Sequence, residues 1–367
     1  MAKNKIKRIK LYTHTDMDGY SCAVILKLYL ESQYQIDVEY LDYTDLDCPK
    51  LTFKNDIELY DHIFITDLNF KSLDMIERLF GIEIGNKYQD TVNIKIHYID
   101  HHNLDASLME IFTLAGINFY HSTEDCATKL LRLYLLKLNK QKVLELDEYN
   151  NNKNHVINEF VDSVDAYDTW KWKNSYCSKR IITLAEQLSM LFTYWTGTLF
   201  DKIMLENLKA STILTAENLS EFKTLMTLKN KYILKKVAEA TIYNNVEEGV
   251  GCFAYVEAEQ YGNDISDAIL NILEYSYDKN LPEGCAMSFL PAVDYVVVRN
   301  GEFLSFRSKF ECANDVAKLF GGGGHLNASG ARVPFKYVTK IPKLISDVVL
   351  GKKFIKNNEV YYEIKEE

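Results

Sequence analysis

Val92-Asn93-Ile94-Lys95-Ile96-His97-Tyr98-Ile99 alternates apolar and polar side chains and then runs into Asp100-His101-His102. A period of two over a short run marks a β-strand with one well-buried face. An acid and two imidazoles at the end of such a strand are costly to bury unless they pair or coordinate a metal. Taken alone, the tripeptide reads as a surface turn. Two earlier strands argue against the turn, because they end in the same chemistry.

The first is Ile6-Lys7-Arg8-Ile9-Lys10-Leu11-Tyr12-Thr13, which leads into His14-Thr15-Asp16-Met17-Asp18-Gly19. The His-x-Asp-x-Asp spacing puts three side chains on one side of an extended chain. Two carboxylates so close repel each other, and a divalent cation is the usual remedy. Cys22 to Leu30 has the apolar density of a buried helix, so the cluster sits at a strand-to-helix junction, where free amides favour anions. An Asx turn with an N-cap would use Asp18 and Gly19 but leave His14 and Asp16 without a role. Ile36 to Leu41 reads as a second strand, and His62-Ile63-Phe64-Ile65-Thr66 as another, ending in Asp67. A helical stretch with Leu73, Ile76, Leu79 and Phe80 then precedes the Val92 strand. Strands separated by crossover-length helices imply an α/β fold with a mainly parallel sheet. Such sheets place ligands at the carboxyl ends of their strands. Three terminal acids there, with His14 and two further imidazoles, predict a metal site.

Composition bounds the rest. A chain of 367 residues, 47% hydrophobic, has the length of two domains. Its net charge of −10 excludes a protein that coats long duplexes through a broad basic face, but a local cationic or metal-filled cleft still binds small phosphorylated substrates. The seven cysteines are scattered without a C-x-x-C pair and read as reduced thiols. Met1 to Lys10 is basic with no apolar secretory core, and no window reaches the length of a membrane span. A soluble, cytoplasmic protein with no membrane partner is expected.

Asn150 to His155 reads as an exposed loop, and Val161-Asp162-Ser163-Val164-Asp165-Ala166-Tyr167-Asp168-Thr169-Trp170-Lys171-Trp172 as an amphipathic helix with its aromatic end. Residues 181–240 are nearly free of Gly and Pro, with leucines and lysines at helical spacing, and predict a helical linker between domains 1–180 and 241–345. Strands are expected at Gly251 to Val256, Ala286 to Leu290, Tyr295 to Val298 and Leu304 to Ser308, then a short helix through Asp315 to Phe320. Gly321-Gly322-Gly323-Gly324-His325 follows, a loop whose amides can form an anion-binding nest. The tail, 346–367, is charged, with a short strand at Val360 to Tyr362.

His14-Thr15-Asp16-Met17-Asp18-Gly19, Thr66-Asp67, Asp100-His101-His102 and the Asp165–Asp168 segment resemble the four motifs of the DHH phosphoesterase family. The Tyr-Asp-Thr-Trp-x-Trp ending is similar to its oligoribonuclease (nanoRNase B-type) branch. Ser305-Phe306-Arg307-Ser308, helix, Gly322-Gly323-Gly324-His325-Leu326-Asn327-Ala328-Ser329-Gly330 resembles the DHH-associated C-terminal domain. The resemblance spans roughly residues 8–335 and implies a catalytic domain, a helical linker and a smaller α/β substrate-binding domain. It implies two divalent ions, Mn²⁺ first, with Mg²⁺ or Co²⁺ as alternatives. His14 and Asp16 would hold one ion, Asp18, His101 and Asp168 the other, and Asp67 would bridge them; Asp165, one turn earlier, competes with Asp168. Asp100 would orient His101, and His102 would contact the scissile phosphate. Arg307, Ser308, Gly323, Gly324 and His325 would grip the nucleotide. The implied activity is two-metal, exonucleolytic hydrolysis of short RNA to nucleoside monophosphates. The alternatives are a phosphodiesterase for cyclic or linear dinucleotides, or an inactive nucleotide-binding module. Members of the family often form homodimers.

Overall fold

The structure, a computed structural model, describes residues 7–81, 95–114, 116–146, 151–173, 177–245, 251–271, 293–309, 312–333, 341–349, 353–356 and 359–362. The chain divides into two compact units, Met1–Lys223 and Thr224–Glu367.

The first unit is built on five strands, β1 (Lys7–His14), β2 (Tyr34–Leu41), β3 (His62–Thr66), β4 (Lys95–Asp100) and β5 (Asn118–His121), in the order β2-β1-β3-β4-β5. Every neighbouring pair is parallel. Two strands leave β1 in opposite directions, so the order reverses between β1 and β3. That crevice is where sheets of this order bind ligands. Helices α1 (Met17–Leu30), α2 (Tyr43–Leu46), α3 (Leu73–Phe80), α4 (Ala106–Leu114), α5 (Ala127–Lys140) and α6 (Asn151–Asp168) connect and flank these strands. α1 is buried over nearly its whole circumference, packed against β1, α5, α6 and α8 (Gly197–Lys209).

The alternation in β4 reads as one buried face, yet Ile96 through Asp100 are all buried. A parallel sheet covered by helices on both sides buries both faces. His97 is accommodated there by hydrogen bonds to His62 (3.0 Å) and the Tyr134 hydroxyl (2.8 Å). Val92 to Ile94 and the strand expected at Ala286 to Leu290 lie outside the described residues. The exposed loop expected from Asn150 to His155 is corrected: from Asn151 the chain already forms the first turns of α6. Polar residues are compatible with helical turns as well as loops, and the His155 side chain there is 74% exposed. Within 181–240 the chain forms α7 (Lys179–Trp195), α8 and α9 (Ala216–Glu239), and the division between units falls inside α9.

The second unit carries a six-stranded sheet, β6 (Thr241–Asn245), β7 (Gly251–Glu257), β8 (Tyr295–Asn300), β9 (Phe303–Ser308), β10 (Gly323–His325) and β11 (Ala328–Arg332), ordered β10-β11-β9-β8-β7-β6. Period-two patterning splits its side chains between two cores. Phe253, Tyr255, Tyr295 and Phe306 pack with the helices Ala313–Leu319 and Ile341–Val349. Ala254, Val256, Val296 and Val298 pack with α10 (Gly262–Leu270) and with Ile233 and Val237 of α9. The glycine run differs from the expected loop: Gly323–His325 is a strand paired antiparallel with β11. Gly324 has φ +148°, and a Cβ there would lie 2.7 Å from the Ala328 carbonyl oxygen, so a side chain is excluded. The tail forms the hairpin β12 (Lys353–Lys356) and β13 (Glu359–Tyr362). No helix among the described residues is long and apolar enough to cross a membrane.

Candidate metal centre

The parallel register aligns Thr13, Thr66 and Ile99 across β1, β3 and β4. The next residue of each strand, His14, Asp67 and Asp100, therefore emerges at the carboxyl edge beside the switch point. The Thr66 hydroxyl donates to the Thr13 hydroxyl (2.8 Å), which donates to the Gly19 carbonyl (3.0 Å), tying the strand ends to α1. A Cβ at Gly19 would lie 2.2 Å from the His14 carbonyl oxygen, so only glycine lets α1 start this close to β1. Asp67 adopts φ 57°, a left-handed conformation that a non-glycine residue holds only under constraint.

Two ligand sets result. One ligand atom each from His14, Asp16 and Asp67 lies within 4.8 Å of the others, as do atoms of Asp18, His101 and Asp168. His101 Nε2 links the sets, 3.3 Å from Asp67 Oδ1, 3.4 Å from Asp168 Oδ2 and 3.9 Å from Asp18 Oδ2. The N-cap of α1 is Asp16, not Asp18: its Oδ1 accepts from the Gly19 amide (2.9 Å) and its Oδ2 pairs with His14 Nδ1 (2.8 Å). Asp18 is instead held by α5, both its oxygens accepting from the Ala127 and Thr128 amides (2.7 and 2.9 Å). Asp165 and Asp168 part company. Asp165 caps the same helix end through the Cys126 amide (2.9 Å) and pairs with Lys129 and Lys171 (3.2 and 2.8 Å). Asp168 carries its carboxylate to His101.

Electrostatics make this a site for cations. Burial, then repulsion from Asp16 and Asp18, raises the Asp67 carboxyl well above the usual carboxylate range. Burial and Asp16 raise Asp18, and burial with Asp18 and Asp16 pushes Asp168 up to about 8. Burial also disfavours the Asp16 charge, but His14 outweighs it and holds that carboxyl down at about 2. Oδ2 of Asp67 and Oδ2 of Asp168 are buried with no hydrogen-bond partner. Orphaned buried carboxylate oxygens beside imidazole nitrogens fit a divalent cation, and the mixed donor set suits Mn²⁺, Mg²⁺ or Co²⁺.

Asp100 serves His102 directly, whereas the sequence assigned it to His101. It accepts from His102 Nδ1 (2.9 Å) and from the Tyr98 hydroxyl (2.9 Å). Burial works against the imidazolium of His102, but the hydrogen bond and charge of Asp100 prevail and raise its pKa. Asp100, His101, His102 and Asp67 also offer atoms within 4.8 Å of one another. Sequence reasoning missed Tyr43. Its hydroxyl lies 3.2 Å from His102 Nε2, its ring stands 4.7 Å from that of His14, and Lys71 Nζ sits 5.4 Å over it. Tyr43 follows the carboxyl end of β2, so the strand-end rule, applied to β2, could have flagged it. The clasp of α5 on Asp18 has no local signal.

In the second unit, the register places Arg307, Ala328 and His325 in one row across β9, β11 and β10, with Phe306, Ser329 and Gly324 in the next. Arg307 Nη2 donates to Asn263 Oδ1 (2.5 Å). His325 and Gly323 are exposed, whereas Ser308 is buried and its hydroxyl donates to the Asp294 carbonyl (2.9 Å). The structure thus brings Arg307 and His325 together and turns Ser308 inward.

No family model matches the chain. Among characterised proteins it is 24% identical over 334 residues to oligoribonuclease NrnB of Bacillus subtilis, covering 88% of this chain and 72% of that protein. It is 23% identical over 343 residues to a 3',5'-cyclic-nucleotide phosphodiesterase of Helicobacter pylori, covering 88% and 91%. Its fold is similar to the exonuclease RecJ bound to manganese, with TM-score 0.51, 12% identity and 94% and 90% of the two chains covered. RecJ of Thermus thermophilus with Mn²⁺ gives TM-score 0.50 at 11% identity, over 94% of this chain and 52% of that one. Fold, site and relatives together define a hydrolase of phosphodiester bonds. More narrowly, these relatives and fold neighbours support a DHH-type, RecJ-like phosphoesterase.

Proposed function

We propose that this protein is a two-metal exonuclease of short RNA oligonucleotides that releases nucleoside monophosphates. The observation that carries this is the pair of ligand sets, His14/Asp16/Asp67 and Asp18/His101/Asp168, meeting at Asp67 and His101 on the switch-point edge. Bound there, divalent ions would supply Lewis-acid stabilisation of phosphoryl charge and an activated water. The protein's own part is orientation. α5 fixes Asp18, the Lys129–Asp165–Lys171 network fixes the end of α6, and Asp100 holds the proton on His102 Nδ1 so that Nε2 faces Tyr43 and the site. A charged His102 contacts the scissile phosphate; in the second unit Arg307, His325, Gly323 and Gly324 are the nucleotide-binding residues. Support for short RNA comes from the relative named an oligoribonuclease and from the acidic surface, which disfavours long polyanions. The relative named a cyclic-nucleotide phosphodiesterase favours a second reading, hydrolysis of cyclic or linear dinucleotides. Hydrolysis of 5′-labelled RNAs of increasing length and a cyclic dinucleotide, with Mn²⁺ and with chelator, separates them. Chelator-sensitive loss of the shortest linear RNAs supports the oligoribonuclease. Preference for the cyclic compound replaces it with the second reading, and no hydrolysis removes both.

A further inference from the structure

Three residues from Asp165 the helix α6 delivers Asp168 to the metal centre, and the chain around that residue is aromatic: Tyr167, Trp170, Trp172. Trp170 is 61% exposed and Tyr167 37%. An indole is among the most costly side chains to leave in water, and here nothing local requires it. Trp170 also adopts φ +60°, a left-handed conformation that is a true outlier for a bulky residue. Such strain persists where surrounding structure imposes it, and it clusters at functional sites.

The surroundings do impose it. The Thr169 amide and hydroxyl both donate to the Asp165 carbonyl (3.0 and 2.6 Å), and the Trp170 amide donates to the Tyr167 carbonyl (3.2 Å). Lys171 Nζ then binds the Glu124 carbonyl (2.6 Å), Asp125 (3.1 Å) and Asp165 (2.8 Å). The Tyr167 and Trp172 rings stack, centroids 5.8 Å apart and planes 19° apart. An exposed indole on a fixed backbone and a stacked aromatic pair thus flank a residue whose carboxylate stands 3.4 Å from His101. Trp170 is only two peptide units from Asp168, at most ~7 Å of chain.

We propose that Tyr167, Trp170 and Trp172 form a stacking platform for a nucleobase of the oligonucleotide whose phosphodiester is held at the metal centre. This rests on the function proposed above. Aromatic faces bind unpaired bases of any sequence by stacking. A base is the occupant because its own phosphate anchors it beside Asp168, so the platform need only capture a ring already delivered. The platform selects for nucleotides over other phosphodiesters without selecting among bases.

Tryptophan fluorescence tests this directly, because the chain has three tryptophans and Trp195 is buried at 4% exposure. The probe is a phosphorothioate-linked adenine dinucleotide titrated with Mn²⁺ present. We expect quenching in the wild type, loss of most of it in Trp170→Phe with affinity largely kept, and about tenfold weaker binding in Trp170→Gly. Glycine suits φ +60°, so loss of fold is not the cause of a weaker affinity. In turnover, the preference for an adenine dinucleotide over its abasic analogue should fall about tenfold in Trp170→Gly. Unchanged affinity and preference in that variant overturn the platform while leaving the proposed hydrolysis intact. A change in oligomeric state without a change in affinity assigns Trp170 to a contact between copies and also overturns it. Quenching that persists in a protein with no hydrolytic activity supports the platform and removes the proposed function instead.

Discussion

Asp168→Asn should make the metal-free protein more stable. Burial and the neighbouring Asp18 and Asp16 charges push the Asp168 carboxyl from 3.8 up to about 8. An unfolded chain at about pH 7 holds this group ionised, whereas the fold keeps it largely protonated. Each pH step of that difference is worth ~1.36 kcal/mol, so about three steps amount to ~4 kcal/mol of destabilisation. The sign follows from a raised folded-state pKa: stability is complete below the unfolded value of 3.8 and is lost as pH rises through about 8. Asparagine removes the charge and keeps the shape, and its amide can donate to the carboxylates around it. Because Asp168 shares its repulsion with Asp16 and Asp18, relief is partial, and a gain of about 2 kcal/mol is expected, or a melting temperature higher by ~4–8 °C. The assay is thermal unfolding in chelator at about pH 7 and about pH 5, where the gain should shrink to ~1 kcal/mol or less. A variant less stable than the wild type in chelator at neutral pH would refute the idea that uncompensated negative charge dominates this site.

The same physics extends to the whole cluster. Asp18, Asp67 and Asp168 all have raised values, so metal-free melting temperature should fall as pH rises from about 5 to 8, and Mn²⁺ should restore it; a flat profile in calorimetry would contradict this. Asp16 and Asp100 have lowered values, Asp16 at about 2, so their stabilisation is present above the unfolded value and is lost only under strong acid. Tyr43→Phe removes the hydroxyl 3.2 Å from His102 Nε2 and should lower kcat by roughly tenfold, the scale of a ~1.4 kcal/mol interaction, with an unchanged melting temperature. Gly19→Ala forces a methyl to within 2.2 Å of the His14 carbonyl oxygen. Steady-state unfolding should show a loss of about 2 kcal/mol or more, with weaker metal binding.

Local pattern carried most of the first unit. β1, β3 and β4 with their terminal His14, Asp67 and Asp100 are legible because a buried parallel strand is a run of apolar residues and its end is where polarity returns. What α1 and Gly19 require is equally local. The clasp on Asp18 and the role of Tyr43 were not legible, because each depends on residues far along the chain, the α5 amides and His102. The partners of Asp100, Tyr98 and His102, lie only two residues to either side, but the choice between His101 and His102 rests on side-chain geometry at the strand's end. The polar start of α6 reads as a loop because polar helical turns and loops share a composition. The glycines before His325 suggested a loop, whereas the close approach of β11 demands two of them, Gly322 and Gly324. Asp165 and Asp168 lie one turn apart and are indistinguishable by spacing; Lys129 and Lys171 separate them only in three dimensions.

The most direct test of the paired metal centre is equilibrium Mn²⁺ binding, read by electron paramagnetic resonance of the free ion, for the wild type and Asp67→Asn. The expected result is two ions per chain in the wild type and at most one, bound more weakly, in a variant that stays folded. A single site, or two sites untouched by the loss of Asp67, would contradict the assignment of His14, Asp16 and Asp67 to one ion and Asp18, His101 and Asp168 to the other.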